Sequence, residues 1–186
     1  MVENATSDGR LGSRWRVAVW GGAALLPLLL VATGFTRLWD ETDFFVFGAM
    51  LVAGCGGYEL AAKKSGDAAY RAAAAVALAG AFLLVWINLA VGVIGNEDDP
   101  ANLMFGGVLA IGMTGALLSR FRPGGMARAM VAMAFAQVLV AVVALSAGWG
   151  ATGPDWQWQI LGLTGFFASL WIVSAWLFRI AARKRS

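Results

Sequence analysis

Six long apolar stretches run through this chain, and the short polar segments between them alternate in charge. A bilayer core needs about 20 apolar residues per helix. The stretches predict spans near Trp15–Phe35, Phe44–Ala62, Ala72–Ile94, Leu103–Leu118, Met126–Ala147 and Trp158–Phe178, the fourth being the shortest. Barrel strands would need polar–apolar alternation over about ten residues. These runs are instead continuous and rich in Ala, Leu and Gly, which predicts an all-α integral membrane six-helix bundle.

The polar segments orient that bundle. Arg10, Arg14 and Arg16 precede the first span, and Lys63, Lys64 and Arg71 follow the second. Arg120, Arg122 and Arg128 follow the fourth, and Arg179, Arg183, Lys184 and Arg185 follow the sixth. By the positive-inside rule this side is cytoplasmic. The other three loops carry Arg37 as their only base, with Asp40, Glu41, Asp43, Glu97, Asp98, Asp99 and Asp155. Residues 1–14 and 183–186 are therefore expected to be cytoplasmic tails flanking a transmembrane domain over 15–182. The first span follows positive charge as a signal peptide would. Its apolar run is longer than a typical signal core and no small-x-small site follows it, so it is expected to be retained. Trp39, Trp149, Trp156 and Trp158 fall at the outer boundary and Trp15 at the inner one, as an aromatic belt does.

Composition agrees with the pattern. Of 186 residues 60% are hydrophobic and 13% charged, against roughly a quarter charged in a soluble domain. The net charge of +3 could suggest nucleic acid, but the bases gather on one side of the membrane, so no nucleic-acid partner is expected. Histidine is absent, which removes the commonest metal ligand and general base. Cys55 is the single cysteine and has no nearby base, so a nucleophilic role is not expected. The sequence predicts no catalytic residue, metal site or cofactor. The run Gly54-Cys55-Gly56-Gly57 precedes no Lys-Ser/Thr pair and is no phosphate loop.

A shift of 58 residues places Phe47 on Phe105 and, without a gap, Gly22 on Gly80, Gly34 on Gly92 and Asp40 on Asp98. Gly48, Gly54, Gly57 and Gly66 then meet Gly106, Gly112, Gly115 and Gly124. Spans one–two and three–four read as parallel copies of one helical hairpin, with spans five–six a diverged third copy (repeats about 17–66, 75–124 and 130–183). Inverted repeats, the usual sign of alternating access, are not indicated.

Small residues recur every fourth position at Ala49, Ala53, Gly57 and Ala61, at Ala69, Ala73, Ala77 and Ala81, and at Gly106, Ala110 and Thr114. Each series lines one helix face, where close backbone approach favours association in lipid. Packing within the chain is the first reading and a homo-oligomer interface the second. Pro27, inside the first span, cannot donate to the carbonyl of Ala23 and predicts a kink.

Ionisable residues inside a membrane are functional suspects. Glu59, near the inner end of span two, is a candidate for proton relay or substrate contact; pairing with Lys63 one turn on is the simpler reading. Asn88 and Gln137 lie deeper and must find hydrogen-bond partners, each other or a neighbouring helix, because lipid offers none. They are read first as structural glue and second as the lining of a polar pathway. Glu97, Asp98 and Asp99 form a candidate cation-attracting outer loop, with solvated charge that enforces topology as the simpler reading.

The run Phe82-Leu83-Leu84-Val85-Trp86-Ile87-Asn88, then Gly95-Asn96-Glu97-Asp98-Asp99-Pro100-Ala101-Asn102-Leu103-Met104-Phe105, resembles uncharacterised small bacterial inner-membrane proteins with six predicted transmembrane helices. The similarity extends through Arg120-Phe121-Arg122-Pro123. The resemblance implies a bacterial plasma membrane and transfers no functional residue.

Three function classes follow. The first is a non-enzymatic multi-pass protein acting through helix packing with itself or a membrane-protein partner, in an accessory or assembly role. The second is an oligomeric small-solute or ion transporter or channel using Asn88, Gln137 and Glu59. A membrane enzyme ranks last, since no paired acid and base supports one.

Overall fold

The computed structural model describes residues 4–34, 39–151 and 153–184, with side chains from residue 17 onward. Arg37, Arg185 and the side chains of Arg10, Arg14, Trp15 and Arg16 lie outside the described residues. Six α-helices account for nearly all of what is described: α1 (Asn4–Ala32), α2 (Glu41–Lys64), α3 (Ala68–Ala90), α4 (Met104–Leu118), α5 (Pro123–Ala147) and α6 (Trp156–Arg183). A 3-10 turn, Pro100–Leu103, leads into α4, and no strand occurs among the described residues. Five stretches are long and apolar enough to cross a membrane: α2, α3, Pro100–Leu118, α5 and α6. The apolar part described in α1, Val17–Ala32, is shorter. Packing divides the chain into two compact units, Met1–Glu59 and Leu60–Ser186.

In the first unit the helix ends are fixed by local chemistry. After α1, Gly34 takes a left-handed φ of 72° and the Thr33 hydroxyl donates to the carbonyls of Leu29 and Leu30 at 3.0 and 3.1 Å. The start of α2 is a reciprocal capping pair: the Asp43 amide donates to Asp40 Oδ1 at 2.9 Å, and the Asp40 amide to Asp43 Oδ2 at 3.1 Å. Trp39, just before this pair, sets its ring edge-on to Phe44 and Phe47, each at 5.3 Å. That is the hydrophobic staple that fixes how a chain enters a helix.

In the second unit, α6 touches both α3 and α5, and α5 touches α4, giving the spatial order α3–α6–α5–α4. The buried face of α6 runs Ile160, Thr164, Phe167, Trp171, Ser174, Phe178, Ala181, in alternate steps of four and three. This spacing keeps one stripe of a helix turned inward. Small residues let the helices approach. A Cβ added to Gly80 of α3 would lie 3.0 Å from the Trp171 ring, and one on Gly115 of α4 would lie 2.6 Å from Ala129 of α5. The alanine series of α3 serves this packing, since Ala73 is fully buried and its carbonyl accepts from the Ser174 hydroxyl at 2.9 Å. The series Gly106, Ala110, Thr114 instead lies on the exposed side of α4, opposite the buried Phe105, Val108 and Gly112.

The two ends of this unit differ in charge and construction. At the basic end Asp67 caps α3 by accepting from the Tyr70 amide at 2.9 Å and pairs with Lys184 Nζ at 3.2 Å. The Tyr70 hydroxyl donates to the Phe121 carbonyl at 2.9 Å, and its ring meets Phe178 edge-on at 5.1 Å. At the acidic end the expected span Ala72–Ile94 is displaced: the helix begins four residues earlier, at the Asp67 cap, and stops at Ala90. The stop has a physical cause. Gly92 turns left-handed, with φ of 77°, and both the Val91 and Gly92 amides bond to the Ile87 carbonyl at 3.0 Å. Buried Val93 and Ile94 then leave the helix with their amides satisfied by one side chain, Asn102. Asn102 Oδ1 accepts from Val93 and Ile94 at 3.0 and 2.9 Å, while Nδ2 donates to the Ile94 and Asn96 carbonyls at 3.1 and 2.7 Å.

Two predictions follow from these ends. Asn102→Ala strands two buried amides and the Ile94 carbonyl, and should lower unfolding stability by about 3 kcal/mol. Asn102→Asp keeps both acceptor bonds and should recover part of that loss, as thermal unfolding in detergent would report. The second concerns Asp67, whose carboxyl is held below its usual range first by the Tyr70 amide and then by Lys184. A depressed folded-state value means that the unfolded chain takes the proton first. The contribution of Asp67 is therefore full at neutral pH and fades as pH falls through the depressed value. Asp67→Asn should flatten that portion of the acid-side melting profile; an unchanged profile would refute the assignment.

Candidate functional site: a polar row inside the helical bundle

The buried face of α5 is built from Met126, Met130, Met133, Ala134, Val140, Ala141 and Ala144, with one amide side chain among them. That side chain, Gln137, is fully buried. Neither its Nε2 nor its Oε1 has a hydrogen-bond partner among the described residues. Three further polar atoms of this unit share the condition: Thr164 Oγ1 and Trp171 Nε1 on α6, and Asn88 Oδ1 on α3. Sequence reading singled out Asn88 and Gln137 as possible partners. Instead Asn88 Nδ2 donates at 2.7 Å to the Leu84 carbonyl, one turn back on its own helix.

Helix register gives these groups an order. Ser174 meets Ala73 and Trp171 meets Gly80, so α3 and α6 run antiparallel. Thr164 lies seven residues before Trp171 on the same buried stripe, about 10 Å along the axis at 1.5 Å per residue. Asn88, in the last turn of α3, is at the acidic end, where α6 also begins. Gln137 sits near the middle of α5. By level along the helices, the groups run from Asn88 and Thr164 toward the acidic end to Gln137 and Trp171 near the middle of the unit. Nearer the basic end the buried groups are apolar or satisfied, as with Ser174, Phe178 and Tyr70.

The row is amide, hydroxyl and indole, with no titratable group. It can donate to and accept from a neutral polar molecule but supplies no charge to balance an ion and no acid–base pair. Buried polar atoms left unpaired each cost about 1–3 kcal/mol. Such atoms in a native core call for a reason of their own.

The remaining candidates lie elsewhere. Glu59 is on α2 in the first unit, where the Trp20 indole N–H donates to its Oε2 at 3.2 Å, a partner that its spacing from Lys63 did not suggest. Asp99 caps the 3-10 turn by accepting from the Ala101 amide at 2.9 Å, while Glu97 and Asp98 are exposed. Among the described residues no three acidic or thiol side chains come together as a metal site would require. Sequence reading missed Thr164, Trp171 and Asn102. Thr164 and Trp171 share a seven-residue spacing on one stripe, which was the available signal. Set against known proteins, the chain matches no family model, no curated protein and no solved structure.

If the Gln137 amide is held against its own stability, an apolar residue of similar volume should relieve the penalty. Gln137→Leu is expected to raise the unfolding temperature or leave it unchanged, whereas Gln137→Ala should lower it by opening a void. A marked fall for Gln137→Leu would show that the amide serves packing.

Proposed function

We propose that the chain is a non-enzymatic multi-pass protein of a bacterial inner membrane, with both termini cytoplasmic, that takes a small neutral polar solute into its four-helix unit. The carrying observation is Gln137, fully buried with both amide atoms unpartnered, among three other orphaned polar groups. An amide with no protein partner in an apolar core is strongly disfavoured, so its retention fits a solute that supplies the missing bonds. The membrane setting is supported by five helices of adequate length and hydropathy. Side chains turned outward such as Leu103, Leu118, Phe135 and Trp158 support it too, being at least 70% exposed. Orientation rests on the separation of basic and acidic ends. Parallel duplication is supported by matching helix stops 58 residues apart: α1 ends at Ala32 before left-handed Gly34, and α3 ends at Ala90 before left-handed Gly92.

A second reading keeps the accessory or assembly role through helix packing with a partner or a second copy. It is favoured by Ala49 and Ala53 of α2, exposed small residues one turn apart. A stoichiometric foreign subunit in native mass spectrometry of the protein drawn gently from its membrane would move the weight there.

The solute reading is tested by shrinkage and reswelling of proteoliposomes in urea and glycerol, followed by light scattering. Wild-type protein should speed entry above protein-free vesicles. Gln137→Leu, and Asn88→Ala combined with Thr164→Val, should bring the rate back to the protein-free value while the protein stays folded. Entry unaffected by either variant, or no entry above background, would sink this reading.

A further inference from the structure

We propose that the groove between α4 and α5 at the basic end binds an anionic phospholipid. Its headgroup phosphate would lie on Arg122 and Arg128, with Arg120 beside them, and its acyl chains along Ala110, Ile111 and Leu118. The proposal rests on the membrane reading above but not on the solute reading.

The groove is a shallow, open one of about 630 Å³ whose walls are almost wholly apolar, with Arg128 as the one charged residue. It continues into a second recess of about 350 Å³ lined by Arg120, Arg122 and Arg128, the two sharing Leu118, Ser119, Gly125 and Arg128. One continuous surface thus passes from an apolar track to three guanidinium groups. That is the pattern of an amphiphile with a negative head. An apolar track alone would suit any helix, and arginines alone would suit any free anion; their continuity selects the lipid.

Charge and geometry support it further. Among the described residues no carboxylate pairs with these three arginines, and Asp67, the acid placed at this end of the unit, is held by Lys184. Guanidinium forks match phosphate oxygens in pairs, and basic recesses between helices on the cytoplasmic side suit anionic headgroups. The arginine turn is also held in one arrangement. Arg120 and Phe121 are both left-handed, with φ of 50° and 60°, a conformation uncommon outside glycine. The turn is pinned by the Tyr70 hydroxyl on the Phe121 carbonyl at 2.9 Å and the Ser119 hydroxyl on the Ala116 carbonyl at 3.0 Å. Lys64 lies 5.6 Å over the Phe121 ring and adds positive charge beside the turn. With the backbone of the turn held, only the exposed arginine side chains remain to be ordered on binding. The exposed small-residue row on α4 then has a use within one chain, since Ala110 and Thr114 line the track.

The test uses the full chain, extracted in mild detergent and titrated with phosphatidylglycerol or phosphatidylcholine. Native mass spectrometry and thermal shift are the readouts. Phosphatidylglycerol should stay bound and raise the unfolding temperature, while phosphatidylcholine should do neither. Arg122→Gln with Arg128→Gln should weaken phosphatidylglycerol binding roughly tenfold or more. The charge-matched control, Arg71→Gln with Arg179→Gln, should leave binding within about twofold. Ala110→Phe, on the exposed side of α4, should weaken binding with every arginine in place. Equal binding of the two lipids, equal loss in the control, or no effect of Ala110→Phe would overturn the proposal. So would equal stabilisation by inorganic phosphate alone, which would make it a free-anion site, or a co-purified protein released by the arginine variant. Recovery of the chain in the carbonate-soluble fraction would overturn the membrane reading itself, a separate failure.

Discussion

One helix face has to satisfy two neighbours at once, and the second unit depends on it. The inward stripe of α6 packs extensively against both α3 and α5. Its largest members, Phe167, Trp171 and Phe178, are fully buried. In the proposed bilayer no hydrophobic drive separates helix from lipid, so association must come from dispersion and close approach. Trp171 against Gly80 is that approach in one contact: a buried tryptophan of one helix lies on the one residue of the other that has no side chain to move aside. The last helix of the chain therefore completes a surface laid down by α3. The consecutive α3 and α4 meet only slightly.

That arrangement shows which parts of the fold were written into local sequence. Apolar length marked the helices well, because it measures what each segment buries or shows to lipid. Helix ends were less legible. Val91, Val93 and Ile94 are as apolar as anything in α3, so hydropathy carries the span on to Ile94. What ends it at Ala90 is the left-handed Gly92 and a carboxamide ten residues further on. The spacing of small residues identified faces but not their neighbours. The alanines of α3 turn inward to α6, while Gly106, Ala110 and Thr114 turn outward, and both series have the same period. Gly34 and Gly92, which the 58-residue register sets on one another, both turn left-handed just past a helix end.

The polar row was half legible for a related reason. Asn88 and Gln137 stand out in apolar runs because amides are scarce there. Thr164 and Trp171 do not, since one carries a methyl and the other an indole that apolar patterns absorb. Only the fold gives them an inward direction. It also separates two kinds of buried amide that look alike in sequence. Asn102 satisfies its oxygen and its nitrogen within one loop, through four bonds to backbone. Gln137 satisfies neither atom. Asn102 accounts for itself as structure, and Gln137 does not, which is why the functional weight rests on the second.

The row also stops. From Asn88 it descends to the level of Gln137 and Trp171, and beyond them the unit closes. Ser174 gives its hydroxyl to Ala73, Tyr70 gives its own to Phe121, and the Tyr70 and Phe178 rings meet edge-on. A path open at both ends would need polar lining through that region, yet Ala127, Met126 and Ala181 are buried there. On the proposed solute reading, these unpaired groups would serve a binding site in the outer half of the unit rather than line a continuous pore. Passage across the bilayer would have to part the Tyr70–Phe178 contact. Tyr70 is tied to the same turn that carries Arg120 and Arg122, because its hydroxyl donates to the Phe121 carbonyl. The buried Tyr70–Phe178 contact and the arginine turn are thus joined through one hydroxyl, that of Tyr70 on the carbonyl of Phe121.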